Sequence, residues 1–149
     1  MGKILKLAAI LAVFCVISAG GLAYVYLFTQ PKIEANSKLA LENSKREVLG
    51  KDNKGTAVAV SPRGYSGPID MLVGIDPQGK VKGLKILNQR ETPGLGANIT
   101  KPGFLRQFVG KSAKDSIEPK KDIDAITGAT ISSRAVCRGV REALGKVKP

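Results

Sequence analysis

The chain has 149 residues, 43% of them hydrophobic, with 24 basic against 12 acidic side chains and no histidine. That length suits one domain with a real core, and the missing imidazole excludes a histidine triad, a histidine-liganded zinc site and a histidine-ligated haem. Cys15 and Cys137 are too few for a four-thiolate cluster or a disulfide framework, and the lack of Trp leaves few stacking platforms for single-stranded nucleic acid. Such a composition points to chemistry borrowed from a bound group.

The first element in chain order is an uncharged run from Leu7 to Phe28, preceded by Lys3 and Lys6 and followed by Pro31. As a helix it would reach about 33 Å at about 1.5 Å per residue, the thickness of a bilayer core. Tyr24 and Tyr26 sit near one end, where amphipathic rings favour the water interface. Ser18-Ala19-Gly20 offers the small residues of a cleavage site, but the apolar part of a signal peptide is shorter, about 7–15 residues. A retained anchor within residues 1–30 is therefore the expectation. Charge does not settle its orientation: Lys32, Lys38, Lys45 and Arg46 after the span outnumber the two lysines before it. A short basic tail leading into an apolar span nevertheless has the look of a signal-anchor that exports the rest of the chain. The remaining basic excess is scattered among acidic residues, which suits solubility or attraction to anionic headgroups; no nucleic-acid partner is expected.

Residues 31–54 read as a juxtamembrane stalk. Ile33–Leu49 contains good helix formers, Gly50 is a stop, and Pro31 is expected to break this helix from the membrane span. Lys51–Gly55 is a polar turn. Residues 55–149 read as a small α+β domain. Thr56–Val60, Ile69–Ile75 and Lys80–Leu87 are strands, the last two forming an antiparallel hairpin around the turn Asp76-Pro77-Gln78-Gly79. Pro102–Val109 can start a helix at its proline, with Phe104, Leu105 and Phe108 at turn spacing. A polar segment runs on from Gly110 to Asp122, and Ile123–Ile126 is a short strand candidate. Ile131–Val147 is an amphipathic helix: Ala135, Val136, Gly139, Val140, Ala143, Leu144 and Val147 line one face, with Arg134, Arg138, Arg141 and Glu142 opposite. A twisted antiparallel sheet covered by this last helix is the expected architecture.

Two segments carry chemistry. In Asp124-Ala125-Ile126-Thr127-Gly128-Ala129-Thr130, followed by Ile131-Ser132-Ser133, a strand would run through a tight turn into a helix start. Thr127, Thr130, Ser132 and Ser133 place four hydroxyls there. Unpaired helical N–H groups and the helix dipole favour a phosphate at such a place, and a threonine hydroxyl could donate a hydrogen bond to it or be esterified by it. The same residues also read as a helix that Ser and Thr merely cap. In Glu91-Thr92-Pro93-Gly94-Leu95-Gly96, Pro and two glycines fix an irregular loop whose backbone can approach a ligand, or a plain turn between the hairpin and the next helix.

Taken together, the two segments resemble a known family. Asp124–Thr130 resembles the flavinylation motif of the FMN-binding domain family, an Asp, two residues, Ser or Thr, then Gly-Ala-Thr. Glu91–Gly96 resembles the ETPGLG loop of one branch, the G subunit (RnfG) of the Rnf ion-translocating electron-transport complex. Their order behind an N-terminal anchor and a hairpin with GYSGPI at Gly64–Ile69 is similar too. The resemblance implies FMN as cofactor, joined through its phosphate to the Thr130 hydroxyl, with Glu91, Thr92, Gly94, Leu95 and Gly96 around the flavin. It implies that Gly128 and Ala129 form the turn, and that Asp124 and Thr127 are read by a separate flavin transferase during maturation. Other membrane subunits of an Rnf-type complex would be the partners, with the C-terminal domain extracytoplasmic. The protein would relay electrons instead of catalysing a reaction alone, with neither catalytic side chains nor a metal site of its own. Two departures stand out: Asn88-Gln89-Arg90 replaces a histidine often found before the loop, and the link from Gly96 to Asp124 is short.

Three functions therefore follow from the sequence. The first is the Rnf-type electron-transfer subunit. The second is a stand-alone extracytoplasmic flavoprotein, or a protein like the C subunit of the sodium-pumping NADH:quinone reductase. The third is a membrane-tethered binding module without cofactor. Lys80, Lys82, Lys85 and Arg90 are the basic groups that could lie beside a flavin ring.

Overall fold

The structure, a computed structural model, describes residues 2–50 and 54–147. It divides into two compact units, Met1–Leu41 and Glu42–Pro149. The expected polar turn at residues 51–55 lies largely outside the described residues.

Helix α1 spans Gly2–Leu49, and Pro31 lies inside it. The break expected there is absent. Proline removes one N–H and crowds the preceding turn, at a cost of about 3 kcal/mol in a helix interior. Ending a helix beside an apolar span would leave several backbone groups unpaired, whereas the proline removes only the N–H that would bond the Leu27 carbonyl. Over its first unit α1 is long and apolar enough to cross a membrane, with Ile10, Leu11, Phe14, Val16 and Ile17 all exposed.

In the second unit, β1 (Thr56–Val60), β2 (Asp70–Ile75) and β3 (Val81–Asn88) form an antiparallel sheet in the order β1-β2-β3. Thr56 pairs with Ile75 and Val60 with Met71, while Leu72 pairs with Lys85 and Gly74 with Gly83. Period-two alternation gives the two faces of β2 different partners. Met71, Val73 and Ile75 enter the main core with Phe108, Val136 and Val140. Leu72 packs on the other face against Val48 and Leu49. That second contact explains the cross-strand glycine pair. A Cβ on Gly74 would stand 2.4 Å from the Val48 carbonyl oxygen, and one on Gly83 2.7 Å from it, so only bare backbone lets this turn lie on the sheet.

Beyond β3 come a 3-10 turn at Gly96–Thr100, helix α2 at Pro102–Leu105 and a second 3-10 turn at Arg106–Phe108. The helix expected over Pro102–Val109 is thus shorter, with Phe104 and Phe108 in edge-to-face contact at 5.4 Å. Helix α3 runs Thr130–Lys146 and buries Ala135, Val136, Gly139, Val140, Ala143 and Leu144 as its apolar spacing demands, while Arg134, Arg138, Arg141 and Glu142 stay exposed. Gly139 lets it close on the sheet side, where a Cβ would meet Met71 Sδ and Pro62 Cγ at 2.8 Å.

The strand expected at Ile123–Ile126 does not form; Ile123 makes only an isolated bridge to Pro119. The cause is that side chains occupy the backbone groups a ladder would need. The Gln107 amide accepts from the Asp124 N–H at 2.6 Å and donates to its carbonyl at 3.4 Å. One turn earlier, the Asp122 carboxylate accepts the N–H groups of Ile117 at 2.9 Å and Glu118 at 2.8 Å, and pairs with Lys111 at 3.3 Å.

Burial alone would raise the Asp122 pKa, but the amides of Glu118 and Ile117 and the Lys111 ammonium outweigh it, leaving the carboxyl below its ordinary value. A carboxyl lowered in the folded state stabilises fully above its unfolded pKa and loses that contribution as pH falls through the folded one. Asp122→Asn is therefore expected to lower stability at neutral pH and to flatten the acid limb of the stability curve, measured by denaturant unfolding of the detergent-solubilised protein across a pH series.

Cys137 is fully buried in the core, and burial pushes its thiol up to about 11. Reaction needs an accessible thiolate. In the folded protein Cys137 is expected to resist maleimide and to react only on unfolding, which mass spectrometry of the intact chain reads.

Candidate functional site

Three loops meet at the start of α3 and enclose a cleft of about 540 Å³, lined by Tyr65, Glu91, Thr92, Leu95, Gly96, Gly128, Ala129, Thr130, Ile131 and Ser132. The first loop is a miniature hairpin. Ile69 N–H bonds the Pro62 carbonyl at 2.9 Å, Gly64 N–H bonds the Gly67 carbonyl at 2.7 Å, and Tyr65 stands at the tip.

The second loop leaves β3 at Glu91. Thr92-Pro93-Gly94-Leu95 is closed by Leu95 N–H to the Thr92 carbonyl at 3.2 Å, with Gly94 at φ 77°. Pro at the second place and a positive-φ glycine at the third are the requirements of a type II turn. The third loop repeats the device: Ala129 N–H bonds the Ile126 carbonyl at 2.9 Å and Gly128 has φ 77°. Leu95 lies close against it, 3.0 Å from where a Gly128 Cβ would stand.

Glu91 holds the three together. It is 5% exposed, and both carboxylate oxygens are used: Oε1 accepts the Ser66 N–H at 3.0 Å and Oε2 accepts the Ser132 hydroxyl. Its own N–H donates to Gln89 Oε1 at 2.6 Å, so one of the three residues that stand where a histidine is often found acts on backbone.

The four hydroxyls of the helix start divide into two pairs. Ser132 is committed to Glu91. Ser133 donates to the Ala129 carbonyl at 2.9 Å and accepts the Ile126 N–H at 3.1 Å. Thr127 and Thr130 are exposed, and among the described residues their hydroxyls have no partner. The helix cap itself is Ala129, with no side-chain hydrogen bond, so the first N–H groups of α3 are not capped by Ser or Thr. The capping alternative therefore does not describe this helix. An uncapped start with the positive end of a 17-residue helix behind it suits an anion. Tyr65, Leu95 and Ile131 supply apolar wall for a flat ring, and the volume lies in the range of small-molecule sites, about 300–1,000 Å³.

Of the site residues expected from sequence, the cleft brings together Glu91, Thr92, Leu95, Gly96, Gly128, Ala129 and Thr130. Gly94 shapes the turn behind it. Thr127 does not line it, and Asp124 lines a neighbouring depression with Lys101, Phe104 and Gln107. None of Lys80, Lys82, Lys85 and Arg90 lines the cleft; Lys85 pairs instead with Glu47. Tyr65 and Ile131 join the site without having been expected there, and Ser132, expected as one of the hydroxyls at the helix start, lines it too. The aromatic between two glycines in GYSG was the available signal for Tyr65.

The fold and cleft define a class: a small α+β domain whose last helix opens on a turn suited to a phosphorylated, flat-ringed ligand. Residues 64–145 match the FMN-binding domain model and residues 1–48 match the RnfG N-terminal region. The chain belongs to the FMN-binding domain family, in its RnfG branch. It is 37% identical over 164 residues to the G subunit of the proton-translocating ferredoxin:NAD(+) oxidoreductase complex of Clostridium ljungdahlii, covering 92% of this chain and 88% of that one. To the G subunit of the Na(+)-translocating ferredoxin:NAD(+) oxidoreductase complex of Acetobacterium woodii it is 40% identical over 104 residues, 62% of this chain and 50% of that one. Among solved structures it is similar to the C subunit of the Na(+)-translocating NADH-quinone reductase from Parabacteroides distasonis, with a TM-score of 0.52, 28% identity and coverage of 62% of this chain and 55% of that one. NqrC of Shewanella oneidensis is comparable, with a TM-score of 0.51, 26% identity and coverage of 64% of this chain and 52% of that one.

Proposed function

We propose that this chain is a membrane-anchored flavoprotein subunit that relays electrons within an Rnf-type ion-translocating ferredoxin:NAD oxidoreductase complex. The observation that carries the reading is the cleft at an uncapped helix start, in which a free threonine hydroxyl, helical N–H groups and apolar wall converge. FMN, when bound, supplies the capacity to take up and release electrons; the protein supplies position and electrostatics. The first N–H groups of α3 would hold the phosphate, Thr130 would bear it as a phosphoester, and Leu95 and Ile131 would keep water from part of the ring. Asp124 and Thr127, exposed beside the cleft but outside it, suit recognition by a flavin transferase. Residues 1–30 would anchor the chain with the remainder extracytoplasmic. Residues 31–54 would form a spacer, whose last turns from Glu42 join the compact unit, and residues 55–149 would carry the flavin.

The test is purification from native membranes under mild detergent. Covalent flavin on this chain, copurifying with the other membrane subunits, is the expected result. A flavin-free chain from cells that contain a flavin transferase would contradict it.

A further inference from the structure

We propose that Tyr65 is the aromatic wall against which the flavin ring stacks, and that Glu91 is the positioning residue that holds Tyr65 there. Both roles rest on the flavin reading of the cleft. Tyr65 is the single aromatic residue lining it. Its side chain is 69% exposed, an unpacked ring at the mouth of a site. The chain has no Trp, and its other tyrosines, Tyr24 and Tyr26, belong to the apolar part of α1. A conjugated ring entering the cleft thus has one aromatic face to meet, and stacked or tilted aromatic pairs contribute beyond their buried area.

The loop that bears Tyr65 is held from two sides. The base of the hairpin is fixed by the Pro62–Ile69 bond, and Arg138 donates to the Arg63 carbonyl at 2.7 Å. The tip is fixed by Glu91, whose Oε1 accepts the N–H of Ser66, the residue after Tyr65, while Oε2 is tied to Ser132 in the first turn of α3. Glycine makes this possible: a Cβ on Gly64 would stand 2.5 Å from Glu91 Oε1, and one on Gly96 2.8 Å from Oε2. One buried carboxylate therefore links the Tyr65 loop to the helix start that bears Thr130. For the loop to swing away, a buried acceptor must lose its donor, which is unfavourable.

The experiment compares flavin emission per attached flavin in the full chain purified from native membranes, because a phenol or indole stacked on a flavin quenches its emission and an aliphatic side chain does not. Wild type is expected to be quenched, Tyr65→Leu to rise severalfold per attached flavin, and Tyr65→Trp to stay low. Glu91→Ala is expected to rise to a similar extent. Glu91→Gln, which can still accept from Ser66 and donate to Ser132, is expected to stay low. The Tyr65→Leu/Glu91→Ala double variant is expected to equal Tyr65→Leu alone, the non-additivity that marks one residue acting through the other. Should Glu91→Ala not fold, Ser132→Ala takes its place, with a smaller rise expected. Emission of Tyr65→Leu equal to wild type, with flavin attached, would overturn the role of the ring. An additive double variant, or no rise in Ser132→Ala, would overturn the role of Glu91. Wild type without flavin would overturn the flavin reading, and the roles of Tyr65 and Glu91 with it.

Discussion

Thr130→Ala is expected to abolish flavin fluorescence from the denatured chain and to leave the melting temperature of the folded domain within a degree or two of wild type. The two halves of that expectation have separate causes. Thr130 is exposed at the first position of α3, and its hydroxyl bonds nothing among the described residues, so its removal unpairs no buried group. Alanine is also the better helix former, by a few tenths of a kcal/mol. The flavin, by contrast, would lose its point of attachment entirely. Thr130→Ser keeps a hydroxyl in the same place and is expected to retain part of the fluorescence. Ser132→Ala and Ser133→Ala should retain it, because those hydroxyls are already committed to Glu91 and to the Ala129 carbonyl. In-gel fluorescence and thermal denaturation, run on the same preparations, read both halves.

Val140→Asp is expected to have the opposite profile: loss of the fold, and of flavin only as a consequence. Val140 is fully buried in the main core, among residues that include Met71, Val73, Phe108 and Val136. A carboxylate there finds no cation, since the arginines of α3 lie on its exposed face. Burying an unpaired charge costs several kcal/mol, a large part of the roughly 5–15 kcal/mol by which a domain is stable. Denaturant unfolding should show a midpoint far below wild type, and a midpoint unchanged from wild type would mean that the core face of α3 is misassigned.

The elements that were legible in the sequence are those whose burial follows one period. α3 repeats its small and apolar residues every three to four positions, and β1 and the hairpin are short apolar runs bounded by turn residues, so chain order alone nearly locates them. The illegible parts depend on long-range partners. Ile123–Ile126 has strand composition, but Gln107, distant in sequence, occupies the Asp124 backbone. Pro31 has the chemistry of a helix breaker, but the cost of stopping depends on surroundings that a propensity does not contain. At the site, Glu91 to Gly96 and Gly128 to Thr130 were visible as loop and turn, whereas the carboxylate that joins them to the Tyr65 loop was not. The resemblance places Glu91 around the flavin, but its role as a tie between loops shows only once Ser66 and Ser132 are seen to surround it. The choice of Thr130 over Thr127 was already made by the motif; the structure adds that Thr130 lines the cleft and Thr127 does not.

The central claim is attachment of FMN to Thr130, and peptide mass spectrometry of the protein from its native membrane tests it most directly. The predicted result is a single adduct of the mass of FMN, less water, on the peptide containing Ile126–Arg134, with fragment ions placing it on Thr130. The same adduct on Thr127, Ser132 or Ser133, with Thr130 unmodified, would contradict it.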